Sequence, residues 1–428
     1  MPAHAHLGWV NPVIGHDFPD PGVRYDPVSK AWYAFSTNGN GKNVQCSYTY
    51  DFCSWHHHDQ DVLPGPLPPW TSGRPGFIWA PEVIQAPQNR GGWLMYVTVQ
   101  DRKTDKQAVA VAYASGGPLG PYHFVSNGPI VSRGETGGCI DPQPFEDPNS
   151  NKRYLVYKND QDHMYTEKCQ VWVQELSEDG LSLVGERVGL MGPTQPWQGK
   201  LIEAPYLTYH RGSNSYCLFY SSGTFTTEGY ATSYAISRNG LFGPYTPSQH
   251  PLLFTDRARG ITGPGGASIV EGVEGHHFII FHSLAHEHGP RPTCIHRLEW
   301  GHDGVPSLPG RPNVGKRLRL LAEREDDQAH GFGPAPEHFQ GGAPHGGGYP
   351  APSPHAGQQN HSGGGGGFPG PMRPGGNIYA QGGGPPFRLP GSPTHGENGG
   401  NGEEEKSIGS KITGALFKRG MFDKKDKK

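Results

Sequence analysis

One spacing limits what this chain can fold into more than any other property. Five marks recur along the first three hundred residues at intervals of 62, 59, 62 and 62. Four are acidic: Asp20 in Phe18-Pro-Asp-Pro-Gly22, Glu82 in Trp79-Ala-Pro-Glu82, Asp141 in Ile140-Asp-Pro-Gln-Pro-Phe145 and Glu203 in Ile202-Glu-Ala-Pro-Tyr206. The fifth is Gly265, in Gly263-Pro-Gly-Gly266. Thirteen residues after each mark stands Tyr33, Met95, Tyr154, Tyr216 or Phe278, each inside a short apolar, aromatic run. Such runs, preceded by turn formers such as Asp26-Pro27 and Arg211-Gly-Ser-Asn214, read as strands. The runs 108–114 and 230–236 supply third strands for two units, and Gly116-Gly-Pro-Leu-Gly-Pro-Tyr122 echoes Asn239-Gly-Leu-Phe-Gly-Pro-Tyr245. A repeat of this length is met by four-stranded units arranged radially, because one unit cannot bury both its faces alone. The expectation is an all-β, five-bladed β-propeller over residues 1–322.

From residue 323 the composition changes to Gly, Pro, His and Gln. Such a segment carries too little apolar surface to offset the entropy of ordering it, so 323–428 is expected to be a low-complexity, largely disordered tail. Its end is basic and places Ile408, Ile412 and Leu416 on one stripe if helical, a surface for an anionic membrane or a partner protein. The net charge of -3 and the lack of a basic stripe give no sign of nucleic-acid binding. Residues 1–10 lack the charged start and apolar run of a secretory signal, and no segment is long and apolar enough to span a membrane, so a cytoplasmic location is expected. A misassigned start or unconventional export would instead make the protein secreted. The six cysteines lack metal-ligand spacing, and Cys139 and Cys217 fall in core-like runs. Adjacent histidines, as in His56-His-His58 and His276-His277, point to opposite faces of a strand and make a poor metal site. His282 differs, since it follows an apolar strand toward the axis and is a candidate to touch substrate.

In a propeller the equivalent points of successive blades converge on one central cavity. Carboxylates gathered there repel and shift one another's proton affinity, an arrangement that is costly unless used. Glycoside hydrolysis uses it: one carboxylic acid protonates the leaving oxygen and a second carboxylate activates water or attacks the sugar. The prolines after Asp20 and Asp141, and Pro205 beyond Glu203, restrict the backbone that carries these groups.

The series Phe18-Pro-Asp-Pro-Gly22, Trp79-Ala-Pro-Glu82, Ile140-Asp-Pro-Gln-Pro-Phe145 and Ile202-Glu-Ala-Pro-Tyr206 resembles the signature motifs of glycoside hydrolase family 43, over roughly residues 10 to 305. The resemblance implies a five-bladed propeller acting on arabinose- or xylose-containing polysaccharides with inversion at the anomeric carbon. It assigns Asp20 as general base, Glu203 as general acid and Asp141 as the group that tunes and orients the acid. It places Trp79 in the sugar pocket, matches Arg291 to a late Gly-Arg, and makes Glu82 structural. Family members commonly carry His where this chain has Gly266, and that His helps organise a central ion, often calcium. Hence no cofactor is required here and a central ion is left open. The expected activity is that of an α-L-arabinofuranosidase or arabinanase. The alternatives are a β-xylosidase of the same family or a non-catalytic carbohydrate-binding propeller. Segments 63–75 and 185–199 read as loops that shape the cleft.

Overall fold

The apolar run after each mark becomes the second strand of a four-stranded antiparallel sheet, and there are five such sheets among the described residues. The computed structural model describes residues 8–134, 137–160 and 168–310. The first blade comprises β1 (Gly22–Asp26), β2 (Ala31–Ser36), β3 (Gln45–Thr49) and β4 (Trp55–His58). The second comprises β5 (Ile78–Gln85), β6 (Trp93–Asp101), β7 (Lys106–Ala114) and β8 (His123–Phe124). The third holds β9 (Cys139–Glu146), β10 (Arg153–Asn159), β11 (Val171–Leu176) and β12 (Leu183–Met191). The fourth holds β13 (Ile202–His210), β14 (Ser215–Ser222), β15 (Ala231–Ser237) and β16 (Thr246–Pro247). The fifth is built of β17 (Gly265–Glu271), β18 (His277–His282), β19 (Thr293–Trp300) and β20 (Pro306–Ser307). In every blade the strands lie in chain order, and the first strands touch in a closed circle, β1 to β5, β9, β13, β17 and back to β1.

The continuous apolar character of the second strands follows from this arrangement. Successive strand residues point to opposite faces, and here both faces are covered by neighbouring blades. Met95 and Val97 of β6 pack toward the first blade, with Tyr33 and Phe35, while Leu94 and Tyr96 pack toward the third, with Leu155 and Tyr157. Tyr216 and Leu218 of β14 join Tyr154 and Val156, whereas Cys217 and Phe219 join Ile279 and Phe281. Phe278 and Ile280 complete the circle against Trp32 and Ala34. Five hydrophobic clusters thus fill the five gaps between blades.

Closure is made by the chain entering the first blade. Val13 and Ile14 donate from backbone N–H to the carbonyl of Thr293 at 2.9 and 3.2 Å, and the Asn11 side chain exchanges two 2.8 Å hydrogen bonds with the backbone of Ile295. Residues 11–14 and β20 therefore share the outer position of the fifth blade.

The two echoed segments are equivalent. Gly120 and Gly243 both have positive φ, both precede a cis proline, and both lead to a buried tyrosine, Tyr122 or Tyr245. Cys139 and Cys217 are fully buried, as their runs imply. Segment 185–199 is not a loop throughout, since its first part completes the nine-residue strand β12. No helix among the described residues is long and apolar enough to cross a membrane. The tail expected over 323–428, with Ile408, Ile412 and Leu416, lies outside the described residues.

Candidate active site

The first strands reach the axis through a shared backbone irregularity. Asp20, Ala80, Asp141, Ala204 and Gly266 have φ of 52, 43, 57, 49 and 59°, and the first four each precede a proline. In β5, β9, β13 and β17 the pairing register slips at these residues, the signature of a β-bulge, which re-aims side chains beside active sites. The left-handed conformation is costly for residues with a Cβ and concentrates at functional sites. These five residues, not the five marks of the sequence, are the true equivalents. Glu82 lies two residues past its bulge and Glu203 one residue before its own, so the even spacing of the acidic marks conceals three different structural positions.

The five left-handed residues line one narrow axial cavity of about 30 Å³, enough to hold ordered solvent. Asp20 and Asp141 both face it, with Glu82 and Ser268 on its wall. Gly22 allows this crowding, because a Cβ there would run into the Pro81 carbonyl.

A second ring of residues captures the bulge N–H groups. Thr37, Thr98, Lys158, Ser221 and His282 stand at the inner ends of the second strands, opposite Pro19, Trp79, Ile140, Glu203 and Gly265 respectively. Thr37 Oγ1 accepts from Ala80 N at 2.9 Å, and Thr98 Oγ1 accepts from Asp141 N at 3.1 Å. Ser221 Oγ accepts from Gly266 N at 3.0 Å, and His282 Nδ1 accepts from Asp20 N at 3.2 Å. Only the third blade departs: Ala204 N is bound by Asp141 Oδ2 at 2.8 Å.

The carboxylates sit in unlike surroundings. Burial alone would raise the Asp20 pKa. Arg291, whose Nη1 lies 3.4 Å from Oδ1, together with the Thr37 hydroxyl at 2.8 Å from Oδ2, outweighs burial and holds Asp20 well below the ordinary carboxylate range. Asp141 moves the other way: burial and the neighbouring Glu203 raise it against the pull of Lys158. Glu203 is likewise raised, chiefly by burial and further by Asp20, while Lys158 and the Tyr230 hydroxyl oppose the shift. Tyr230 donates to Glu203 Oε1 at 2.6 Å, and its ring stacks on His282 at 5.7 Å. Glu82 is pushed up to about 8 by burial, against Arg24 and a 3.2 Å hydrogen bond from Ser268, so it is mostly neutral at pH 7.

The structure therefore brings Asp20, Asp141 and Glu203 together, with Arg291 and His282 on Asp20. Arg291 also lies over the ring of Phe225 at 4.8 Å, and Phe225 is an exposed aromatic. Trp79 occupies the position in β5 that Glu203 occupies in β13, partly exposed and stacked on Phe77 at 5.9 Å. His282 has no exposed surface. It acts on Asp20 and offers a ligand nothing to touch, contrary to the contact expected from its strand. Lys158, Tyr230 and Thr37 escape sequence reasoning. A lysine closing the apolar run Tyr154-Leu-Val-Tyr-Lys158 was the available signal.

A calcium site needs six to eight oxygen ligands. Among the described residues no group of three or more His, Cys, Asp or Glu is arranged to hold a metal ion. The buried Nε2 of His282 lacks a protein partner, but one imidazole nitrogen is not such a cage. A histidine at 266 would have no room, since a Cβ there would lie 2.7 Å from Asp20 Oδ1 and 2.8 Å from His282 Nδ1. The described side chains do not by themselves make a calcium cage. Gly266→Ala is accordingly expected to lower stability by about 1–3 kcal/mol, through backbone strain and crowding, and to reduce kcat/KM by displacing Asp20. Thermal melting and steady-state kinetics on the same preparation check both effects.

Comparison with known proteins agrees with this geometry. The model of the glycosyl hydrolases family 43 matches residues 9–306. A thermostable family-43 glycoside hydrolase superposes with a TM-score of 0.61 at 26% identity, covering 72% of this chain and 98% of that one. An endo-1,4-beta-xylanase from Bacteroides thetaiotaomicron gives 0.57 at 25%, covering 71% and 97%. An alpha-L-arabinofuranosidase from Lactobacillus brevis gives 0.58 at 18%, covering 71% and 97%, a likeness of fold. Comparison with curated proteins finds no match. A five-bladed propeller with three carboxylates at its axis, matched by that family model over most of its described length, is a glycosidase, and the chain belongs to glycosyl hydrolases family 43.

Proposed function

We propose that the chain hydrolyses α-L-arabinofuranosyl linkages with inversion of the anomeric centre, as an arabinofuranosidase or arabinanase. The observation that carries the mechanism is the division of proton affinity at the axis. Three carboxylates face two cations, Arg291 and Lys158, so the site is neutral when it keeps one proton. Asp20, lowest of the three, stays ionised and takes a proton from the attacking water. The raised pair of Asp141 and Glu203 keeps the remaining proton, and Glu203 delivers it to the leaving oxygen. Asp141 holds the pair in place through the Ala204 N–H, and the Glu203 charge in turn raises Asp141, so the two carboxyls share the retained proton.

Trp79, at the position in its blade that Glu203 holds in its own, and Phe225, whose ring lies under the Arg291 guanidinium at 4.8 Å, offer aromatic faces for the apolar face of a sugar, and Arg291 holds the base. The arabinose reading follows the motif series and the Gly/Pro-rich segment after the propeller, while the Lactobacillus brevis arabinofuranosidase, at 18% identity, shares the fold alone. The xylanase, at 25% identity and equal coverage, favours a xylan-acting enzyme as the second reading. Product analysis on debranched arabinan, branched arabinan and xylan decides between them. Arabinose or arabino-oligosaccharides from the arabinans, with xylan left intact, is the expected result. Release of xylose or xylo-oligosaccharides alone would transfer the assignment to xylan, and binding without release would mark a carbohydrate-binding propeller.

A further inference from the structure

The ring of residues that captures the bulge N–H groups is broken at one place, and that place adjoins the acid. Thr37, Thr98, Ser221 and His282 all present a lone pair to the next blade. Lys158 stands at the same position of β10, opposite Ile140, yet an ammonium has three donors and no acceptor. The Ala204 N–H therefore cannot be bound as in the other blades, and Asp141 Oδ2 takes it at 2.8 Å. One oxygen of Asp141 is thereby fixed to the residue that follows Glu203. The Lys158 side chain is 1% exposed, and its Nζ lies 4.0 Å from Glu203 Oε2. A threonine would satisfy the backbone here, as it does in two other blades, without burying a charge. Burying an ammonium is costly unless it is paired, so the exchange of acceptor for cation calls for a reason beyond folding.

Resting on the acid–base reading above, we infer that Lys158 is a positioning residue for the general acid, supplying the countercharge for Glu203 as it loses its proton and committing Asp141 to the Ala204 N–H. When the glycosidic C–O bond breaks, its electron pair goes to the leaving oxygen, which takes the proton of Glu203. Water adds its oxygen to the anomeric carbon and yields a proton to Asp20. Glu203 is then a buried carboxylate, and the ammonium 4.0 Å away stabilises it. Solvent returns the proton from Asp20 to Glu203 before the next turn.

The charged and titratable groups around this pair are few. Lys158 faces Glu203, Cys169, Asp141 and Asp160. Glu203 faces Lys158, Tyr230, Asp20 and Asp160, and Asp141 faces Glu203, Lys158 and Asp20. Burial lowers the proton affinity of Lys158, but Glu203 and the nearby acids outweigh it and keep the ammonium charged. Its removal leaves Glu203 and Asp141 with no adjacent cation, and both carboxyls must then hold protons more tightly.

The test replaces the lysine with the residue that two other blades use. Lys158→Thr provides the acceptor for Ala204 N–H and removes the charge. The alkaline limb of kcat/KM is expected to move up by about one pH unit or more. The rate on glycosides with sugar leaving groups should fall about tenfold or more, and on activated aryl glycosides by much less, because a weaker acid matters least where the leaving group needs little protonation. Lys158→Arg should restore the limb. Carbon-13 NMR titration of carboxyl-labelled full-length chain reads Glu203 and Asp141 without turnover and should show both moving up in Lys158→Thr. An unmoved limb with unmoved titrations overturns the inference, as does a loss of rate equal at every pH and for every leaving group. Should Lys158→Thr not fold, Lys158→Gln, neutral with an accepting carbonyl, carries the same expectations. If the wild-type chain hydrolyses no arabinoside or xyloside, the functional reading fails while the titration still judges Lys158.

Discussion

Asp20→Asn should lower kcat/KM by about 10²–10⁴-fold, the usual worth of a positioned general base, on every substrate and whatever its leaving group. Asparagine is close in shape and keeps a carbonyl oxygen for the Thr37 hydroxyl and the Arg291 guanidinium, which lie 2.8 and 3.4–3.5 Å from the native carboxylate. What it loses is the ability to take a proton from water. The loss should fall on kcat with KM little changed, since the effect arises in the transition state. The acidic limb of the pH profile supplies a second reading. In the native chain Arg291 and the Thr37 hydroxyl hold Asp20 ionised far into acid, so activity should persist below the range where an ordinary aspartate would be protonated. The same shift bears on stability. A carboxylate whose folded pKa is depressed contributes stability above its unfolded pKa, which is lost as pH falls toward the folded value. Asp20→Asn should therefore narrow the difference between melting temperatures at neutral and acid pH.

Glu203→Gln should show the complementary pattern. On arabinosides with sugar leaving groups the loss should reach about 10²–10⁴-fold. On aryl arabinosides with strongly acidic phenols the loss should shrink, because those departing groups need little protonation. The alkaline limb of the profile should disappear with the acid. A uniform loss across leaving groups would remove Glu203 from the acid role and leave Asp141 as the candidate. Glutamine keeps an oxygen for the Tyr230 hydroxyl, 2.6 Å from the native carboxylate, so gross misfolding is not expected to confuse the result.

The number of blades and the identity of their second strands were legible because periodic burial writes itself into sequence. Strands covered on both faces must be apolar throughout, and Tyr33, Met95, Tyr154, Tyr216 and Phe278 mark each one. The bulges were less legible. A bulge adds a residue to one strand without a composition of its own, so an even count from Asp20 to Glu82 and to Glu203 looked like equivalence. In the structure the equivalents are Ala80 and Ala204, recognisable by their left-handed backbone. The proline that follows Asp20, Ala80, Asp141 and Ala204 was the better guide to register than the acidic residue itself. His282 was found as a residue near the axis, but its burial behind Asp20 depends on the absence of a side chain at Gly266, a relation between two strands that neither run displays. Lys158 went unseen for a similar reason. Its meaning lies in a ring position shared with Thr37, Thr98, Ser221 and His282, and that ring exists only after the blades have closed.

In the proposed reaction water, activated by Asp20, attacks the sugar directly while Glu203 protonates the leaving group. Proton NMR of the first product formed from an α-L-arabinofuranoside, recorded before mutarotation, tests it most directly. Direct attack by water inverts the α-linkage, so the β-anomer of arabinose should appear first. First appearance of the α-anomer would mean a covalent intermediate, make one of the axial carboxylates a nucleophile, and contradict the role assigned to Asp20.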